Sequence, residues 1–258
     1  MDTNVDVGEL RDKVKGMYRD VADSPQGTFH FEMGRPLAER LGYPSGGLDR
    51  VPPQAIESFA GVGYHLGLAA IAPGERVVDL GSGSGMDAFL ARNQVTESGE
   101  VVGVDMTEEQ LNKAQRLAAR DGFVDGMTFR KGYIEEAPVA DSWAEVVISN
   151  GVINLCVDKP AVFREIARVL APGGRMAISD IVTERQLTAA IVCDVNLWAS
   201  CIGGAMQQDD YQRAIADSGL RIEQVRENPE YYFLSDSAQG ATQTFGVKSM
   251  SILATKPQ

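Results

Sequence analysis

The chain has 258 residues, of which 44% are hydrophobic and 23% are charged, values that are ordinary for a soluble globular protein. This length is enough for one large α/β domain with additions. The formal net charge of −12 argues against a nucleic-acid backbone or an anionic membrane surface as partner, because both select basic patches.

The start of the chain and its cysteines indicate where the protein is found. The sequence MDTNVDVGELRDKV is acidic and lacks the apolar core of a signal peptide, and no apolar run reaches membrane-spanning length. Three cysteines, Cys156, Cys193 and Cys201, form an odd set without a secretory signal, which predicts free thiols. We therefore expect a cytoplasmic protein. The spacing of residues indicates no metal site, and it gives no oligomeric state.

Residues 1–72 precede the first predicted strand and are expected to form an N-terminal helical lid. Apolar residues at helical spacing predict a helix over 7–21, and a second, short helix is predicted over 55–60. An extension of this length can fold over a ligand bound to the main domain, which we expect to span 73–258.

The stretch ERVVDLGSGSGMDAFLA, residues 75–91, predicts a buried strand, a glycine turn and a helix. This is the opening unit of a doubly wound sheet, in which glycines bring backbone N–H groups close to a ligand. The helix N-terminus that follows favours negative charge. A second strand, 100–104, ends at Asp105, where a carboxylate can accept both hydroxyls of a ribose.

Two kinds of nucleotide cofactor use such a turn, and the details distinguish them. A dinucleotide site requires G-x-G-x-x-G, whereas this chain reads G-x-G-x-G from Gly81 and has Met86 at the third dinucleotide position. Asp79 would repel a pyrophosphate but suits the cationic amino-acid end of a sulfonium cofactor. The sequence therefore favours an S-adenosylmethionine-dependent methyltransferase over a nicotinamide-dependent oxidoreductase.

Strands and helices continue to alternate, which calls for a parallel sheet. The second helix, 108–121, is predicted to start with a capping box formed by Thr107 and Gln110. A mostly helical insertion over 183–206 follows the fifth strand. The predicted fold is α/β, a doubly wound, mostly parallel seven-stranded Rossmann-like sheet with the lid and this insertion. The further predicted elements are helices 86–94, 160–170 and 209–218, and strands 127–130, 144–149, 175–179, 221–226 and 245–254, the last two forming an antiparallel edge pair.

The chain resembles the arsenite methyltransferase group, a branch of the class I S-adenosylmethionine-dependent methyltransferases, over roughly residues 60 to 225. The segments that carry the resemblance are VVDLGSGSGMDAFLA, GVDMTEEQLNKA, KGYIEEAP, VVISNGVINL, VFREIARVLAPGGRMAISDIV and CIGGA. It implies in-line transfer of the sulfonium methyl group to an acceptor nucleophile.

The resemblance also implies eleven positions that bind the cofactor. Those of the first strand and its glycine turn would hold the methionine part, and those after the second strand the ribose and one adenine face. The next pair would flank the adenine and accept a hydrogen bond from its amine, and the last pair would border the methionyl side. In chain order they are Asp79, Gly81, Ser82, Gly83, Gly85, Asp105, Met106, Ile134, Glu135, Asn150 and Val152.

The acceptor is less well indicated. Arsenic(III) prefers thiolates, and the resemblance implies several cysteine ligands, of which Cys201 matches one while Gly151 occupies another. Cys156 is a candidate second thiol. The alternatives are an organic metabolite, trivalent arsenic held by Cys201 and another thiol, and a non-catalytic S-adenosylmethionine-binding module. A carbon or hydroxyl acceptor needs a base, for which His65 is the first candidate and Glu135 and Asp180 are alternatives.

Overall fold

The computed structural model describes residues 6–29, 31–192, 198, 202–234 and 236–258. Its strands are β1 (Arg76–Leu80), β2 (Glu100–Asp105), β3 (Met127–Lys131), β4 (Ala144–Asn150), β5 (Leu170–Thr183), β6 (Met206–Gln207), β7 (Arg221–Glu227) and β8 (Lys248–Thr255). Its helices are α1 (Val7–Asp23), α2 (Arg35–Arg40), α3 (Ser45–Leu48), α4 (Pro53–Glu57), α5 (Leu66–Ala69), α6 (Met86–Val95), α7 (Glu108–Asp121), α8 (Lys159–Val169), α9 (Ala189–Val192), α10 (Gln208–Asp217) and α11 (Asp236–Phe245), with a 3-10 turn at Ile153–Leu155.

The strands form one sheet in the order β3-β2-β1-β4-β5-β8-β7. Strands β1 to β5 are parallel, whereas β8 runs antiparallel to both β5 and β7. This arrangement confirms the predicted doubly wound sheet with an antiparallel edge pair. The two-residue strand β6, which pairs with the end of β5, is an addition to the seven predicted strands.

The order of the strands reverses at β1, which pairs with β2 on one side and β4 on the other. Ligands of open α/β sheets bind at such a switch point, beyond the carboxyl ends of the strands. The register aligns Leu80 with Val104 and with Ser149. The residues that follow these, Asp105 and Asn150, are therefore brought to the same edge of the sheet as the glycine turn.

Apolar side chains cover both faces of the sheet. On one face Phe89 of α6 packs with β1 and with residues 37–69, and on the other Phe163 of α8 packs with Tyr211 of α10. Phe89 and Phe163 are fully buried, and burial of such a side chain stabilises the fold by about 1.5–3 kcal/mol. Residues 37–69 of the N-terminal extension thus share the main core.

Helix α1 is placed differently from the rest of the extension, because it packs on α7 at the carboxyl edge of the sheet. It begins at a side-chain cap, in which Asp6 accepts hydrogen bonds from the backbone N–H groups of Gly8 and Glu9. Its apolar residues Leu10 and Val14 are buried against the body of the domain.

The predicted capping box of α7 is wrong. Thr107 precedes the helix but makes no side-chain cap, and Gln110 is 1% exposed. Buried beneath α1, the Gln110 amide donates to the Tyr18 carbonyl at 2.8 Å and accepts from Ser84 Oγ at 2.5 Å. A buried amide requires such partners, so tertiary packing has overridden the local capping pattern.

The last third of the chain differs from the prediction in two respects. The final strand begins at Lys248 rather than at residue 245, because Asp236–Phe245 forms the unpredicted helix α11. Within the predicted insertion, Ala189–Val192 is helical, while Cys193 and Cys201, like His30 nearer the start, lie outside the described residues. Across the described part of the chain, every helix is too short or too polar to cross a bilayer.

Candidate functional site

A cavity lies at the carboxyl edge of the sheet, bounded by the glycine turn, the ends of β2 and β4, and α1. Ten of the eleven residues predicted to bind the cofactor line it, as does Cys156. The exception is Gly85, which precedes α6 with φ +93°, and a Cβ there would lie 2.9 Å from the Phe129 ring. Gly85 is therefore required by packing against the core.

The glycine turn needs its glycines for conformation and for space. Gly81 has φ +75° and Gly83 has φ +52°, in the left-handed region that side chains disfavour. A Cβ at Gly81 would lie 2.4 Å from the Val152 side chain. The turn is fixed to β2, because the N–H groups of Gly81 and Ser82 both donate to the Val104 carbonyl.

Asp105 is held by the backbone around it. Gly83 N donates to its Oδ2 at 2.9 Å and Thr107 N donates to its Oδ1 at 2.8 Å. Each carboxylate oxygen accepts more than one hydrogen bond, so both can also receive hydroxyls from a ligand in the cavity. Burial raises the pKa of Asp105, while these N–H groups act in the opposite direction.

Two buried polar atoms on the cavity wall have no hydrogen-bond partner among the described residues. They are Oδ2 of Asp79, which is 3% exposed, and Oγ of Ser82. Buried polar groups are nearly always satisfied, so both atoms point to a polar ligand. Burial, followed by the charges of Asp87 and Asp105, raises the pKa of Asp79 well above its usual range. A cation beside Asp79 would offset these effects by stabilising the charged carboxylate. The cationic amino-acid end of S-adenosylmethionine fits this requirement.

Asn150 connects four separate parts of the chain beside this carboxylate. Its Oδ1 accepts from Val62 N at 2.8 Å, and its Nδ2 lies 3.0 Å from both the Gly63 carbonyl and Tyr43 Oη. Tyr43 Oη in turn donates to Asp87 Oδ1 at 2.7 Å. Tyr43 and Asp87 are not among the residues predicted to form the site. The only signal for Asp87 was an acidic residue in the first turn of the helix that follows the glycines.

On the opposite side of the cavity, α1 contacts the loop after β3. Arg11 donates to Glu135 Oε1 at 3.1 Å, and its guanidinium lies 4.4 Å from the centre of the Tyr133 ring. Lys15 donates to Tyr133 Oη at 2.9 Å. Ile134 and Glu135 line the cavity as predicted, but the Glu135 carboxylate is already paired with α1.

The three candidate bases differ in their access to the cavity. His65 is fully buried outside the cavity lining, with Nε2 4.0 Å from Asp87 Oδ2, and burial lowers the pKa of its imidazole. Asp180 is buried and accepts from Tyr211 Oη at 2.7 Å, and burial raises its pKa to about 6. It is also absent from the lining. Glu135 alone reaches the cavity.

Of the two cysteines of the predicted site, Cys156 lies within the described residues and Cys201 does not. Cys156 lies on the cavity wall just after the 3-10 turn, and burial raises the pKa of its thiol. The prediction for Cys201 lies outside the described residues. Gly151, at the position of an expected cysteine, has φ +71°, and a Cβ there would lie 3.2 Å from Val62 Cγ1. A side chain at this position would be strained by the backbone conformation and would press against Val62.

Comparisons with known proteins agree with this geometry. A family model described as a methyltransferase domain matches residues 71–219. The arsenite methyltransferase of Halobacterium salinarum is 37% identical over 246 residues, which cover 90% of this chain and 62% of that protein. The human arsenite methyltransferase is 40% identical over 138 residues, which cover 50% of this chain and 37% of the human protein. The chain thus spans less than two thirds of the curated relatives it matches.

Solved structures give the same picture. The crystal structure of an arsenic(III) S-adenosylmethionine methyltransferase from Chlamydomonas reinhardtii superposes with a TM-score of 0.69 at 34% identity, covering 83% of this chain and 73% of that one. A geranyl diphosphate methyltransferase in complex with its diphosphate and sinefungin shares the fold with a TM-score of 0.66 at 17% identity, covering 96% and 99%.

Proposed function

The chain belongs to the arsenite methyltransferase-like branch of the class I S-adenosylmethionine-dependent methyltransferases, and from this premise we propose that it methylates a small molecule. The observation that carries the proposal is the cavity at the switch point of the sheet. One wall presents the unpartnered carboxylate oxygen of Asp79, and the other presents Asp105 in a backbone cradle.

In this proposal the residues of the cavity divide the cofactor between them. Asp79 and Ser82 hold the methionine part, Asp105 the ribose, and Met106 and Ile134 the adenine faces. When bound, S-adenosylmethionine supplies a methyl group that is already activated by its sulfonium charge. The protein then aligns the acceptor and excludes water. Helix α1, which lines the cavity, is placed to exclude water.

We favour an organic acceptor. The cavity wall formed by α1 and the 3-10 turn presents the apolar side chains of Leu10, Val14 and Leu155. The only cysteine of the described cavity lining is Cys156. Because residue 151 is a glycine, the described lining supplies one thiol where soft arsenic(III) prefers several.

Trivalent arsenic is the second candidate. It is favoured by the position of the Cys156 thiol on the cavity wall and by the activity named for the relatives at 37% and 34% identity. A second thiol would have to complete the site. The resemblance assigns this role to Cys201, which lies outside the described residues.

The acceptor is tested by measuring S-adenosylhomocysteine production with arsenite or methylarsenite and excess thiol, and separately with a panel of neutral organic nucleophiles. Wild type is compared with Cys156→Ser and Cys201→Ser. Organic turnover that survives both substitutions supports the favoured acceptor class. Arsenic-dependent turnover that either substitution abolishes overturns it in favour of arsenic. Wild-type protein that binds no S-adenosylmethionine overturns the methyltransferase proposal.

A further inference from the structure

Asp87, in the first turn of α6, is a second buried carboxylate in the wall of the cavity beside Asp79. Asp87 is 7% exposed and Asp79 is 3% exposed, and both line the cavity. After burial, the charge of Asp87 is the next largest cause of the raised pKa of Asp79, so the two carboxylates interact electrostatically. Two interacting like charges are costly to bury without a cation.

The protein provides no such cation within its described residues. Among the described residues, the only ionisable nitrogen within 4.0 Å of either carboxylate is Nε2 of His65, and burial lowers the pKa of that imidazole, which favours its neutral form. The other titratable groups facing the pair are Asp105, which adds negative charge, and the Tyr43 phenol, whose pKa is raised well above its usual range by burial. A cation for this site must therefore come from the ligand.

Hydrogen bonds from Tyr43 and Asn150 also fix the orientation of the Asp87 carboxylate. Tyr43 Oη donates to its Oδ1 at 2.7 Å, and Asn150 Nδ2 lies 3.3 Å from its Oδ2. The polar atoms of Asn150 are all engaged within the protein, so Asn150 acts through Asp87 and the loop at Val62 and Gly63. The Oδ2 atom of Asp79, by contrast, is unpartnered among the described residues.

We propose that Asp87 and Asp79 form a two-carboxylate subsite for a primary ammonium group, the one at the amino-acid end of the cofactor, and that Tyr43 and Asn150 are positioning residues for Asp87. This assignment rests on the proposed function and adds Asp87 to the residues that bind the ligand. In the empty site burial and the charge of Asp87 raise the pKa of Asp79, which favours its protonated form. An arriving ammonium group favours the ionised form of Asp79, and with it release of a proton to solvent.

The test compares two ligands that differ in the ammonium group. S-adenosylhomocysteine carries the amino-acid end, whereas 5′-methylthioadenosine lacks it but keeps the adenine, the ribose and the sulfur. Measured by calorimetry, Asp87→Asn should weaken the binding of S-adenosylhomocysteine by about tenfold or more. It should change the affinity for 5′-methylthioadenosine by less than about twofold. Tyr43→Phe should give a smaller loss with the same selectivity. The matched control Asp105→Asn should weaken both ligands, because both carry the ribose.

Proton release provides a readout that a purely structural role would not move. Titrations of wild type with S-adenosylhomocysteine over a range of pH, in buffers of different ionisation enthalpy, should show net proton release, and Asp87→Asn should reduce it because the charge of Asp87 contributes to the raised pKa of Asp79. Equal losses of both ligands in Asp87→Asn and Tyr43→Phe, or unchanged affinity for S-adenosylhomocysteine, would overturn the assignment. If Asp87→Asn does not fold, Tyr43→Phe decides the question. Wild-type protein that binds neither ligand would instead refute the proposed function itself.

Discussion

Arg11 of α1 and Glu135 of the loop after β3 form an ion pair with a separation of 3.1 Å, although 124 positions separate them in the chain. Both residues line the cavity. Glu135 is also the residue that the family resemblance assigns to the adenine amine. The position of α1 and the recognition of the cofactor therefore depend on the same carboxylate. We expect movement of α1 and binding of the cofactor to be coupled through it.

Loosening α1 should speed exchange of the cofactor. Arg11→Gln removes an ion pair that is 39% exposed on the Arg11 side, which is worth about 0.2–1 kcal/mol, so dissociation of S-adenosylhomocysteine should accelerate by about 1.4- to fivefold. Stopped-flow displacement measures this rate, and hydrogen exchange across Val7–Asp23 should rise in parallel. Arg19→Gln is the control, because the Arg19–Asp20 pair lies within α1. Equal effects of both substitutions would contradict a role for the contact with Glu135.

Asp79 should reduce the stability of the empty protein. Because its folded pKa is raised above 3.8, the native state retains a proton that the unfolded chain loses, and stability falls as pH rises through this interval. Asp79→Asn removes the effect, so it should raise the free energy of unfolding at pH 8 by about 1–3 kcal/mol while abolishing tight S-adenosylmethionine binding. Urea denaturation at pH 5 and pH 8 tests this. A variant less stable than wild type at pH 8 would show that Asp79 is satisfied within the protein.

The glycine turn allows strain and clash to be separated. Gly122, at the end of α7, has φ +79° and open space at its Cβ position, so Gly122→Ala should cost about 1–2 kcal/mol from backbone strain alone. Gly81→Ala has a similar φ and also clashes with Val152, which should add about 1–3 kcal/mol. The double variant Gly81→Ala/Val152→Ala removes the two methyl groups that approach to 2.4 and 2.6 Å but leaves the Cβ at 2.9 Å, so it should recover part of the added cost in urea denaturation. No recovery would mean that Val152 does not cause the clash.

Lys159, the first residue of α8, should give the protein a rise in stability at alkaline pH. It is 2% exposed, donates to the Cys156 carbonyl at 2.8 Å, and burial lowers its pKa from 10.5 to about 8. Between these two pKa values the unfolded chain binds more protons than the native state, so stability increases with pH there. Measured relative to Lys159→Met, the free energy of unfolding of wild type should rise across this range. The Cys156 thiol and the buried Tyr43 and Tyr211 phenols, whose raised pKa values act in the opposite direction, are present in both proteins. An equal rise in both proteins would assign the effect to another group.

The parts of the site that were predictable are those coded by neighbouring residues. The strand, the glycine turn and Asp79 lie within one short stretch, and Asp105 ends the next strand, so alternation and the switch-point rule were enough to bring them together. The network around Asp87 could not be predicted in this way. Tyr43, Asp87 and Asn150 come from three distant segments, and their contacts depend on tertiary packing.

The elements that were missed have the same explanation. Gln110 matches a capping pattern in the sequence, but α1 buries it, and a buried amide bonds to whatever lies above it. His65 was the first candidate for a base, and nothing in its local sequence indicates that it is buried behind Asp87, outside the cavity. Local patterns identify elements and turns, whereas burial depends on the whole chain.

The central claim is that the cavity at the switch point binds S-adenosylmethionine through Asp105 and the glycine turn. Calorimetric titration of S-adenosylmethionine into wild type and Asp105→Asn tests it most directly. We predict saturable binding at one site in wild type, weakened by about tenfold or more in the variant, because a charged hydrogen-bond acceptor for the ribose is lost. Absence of binding in wild type, or equal affinity in the two proteins, would contradict the account.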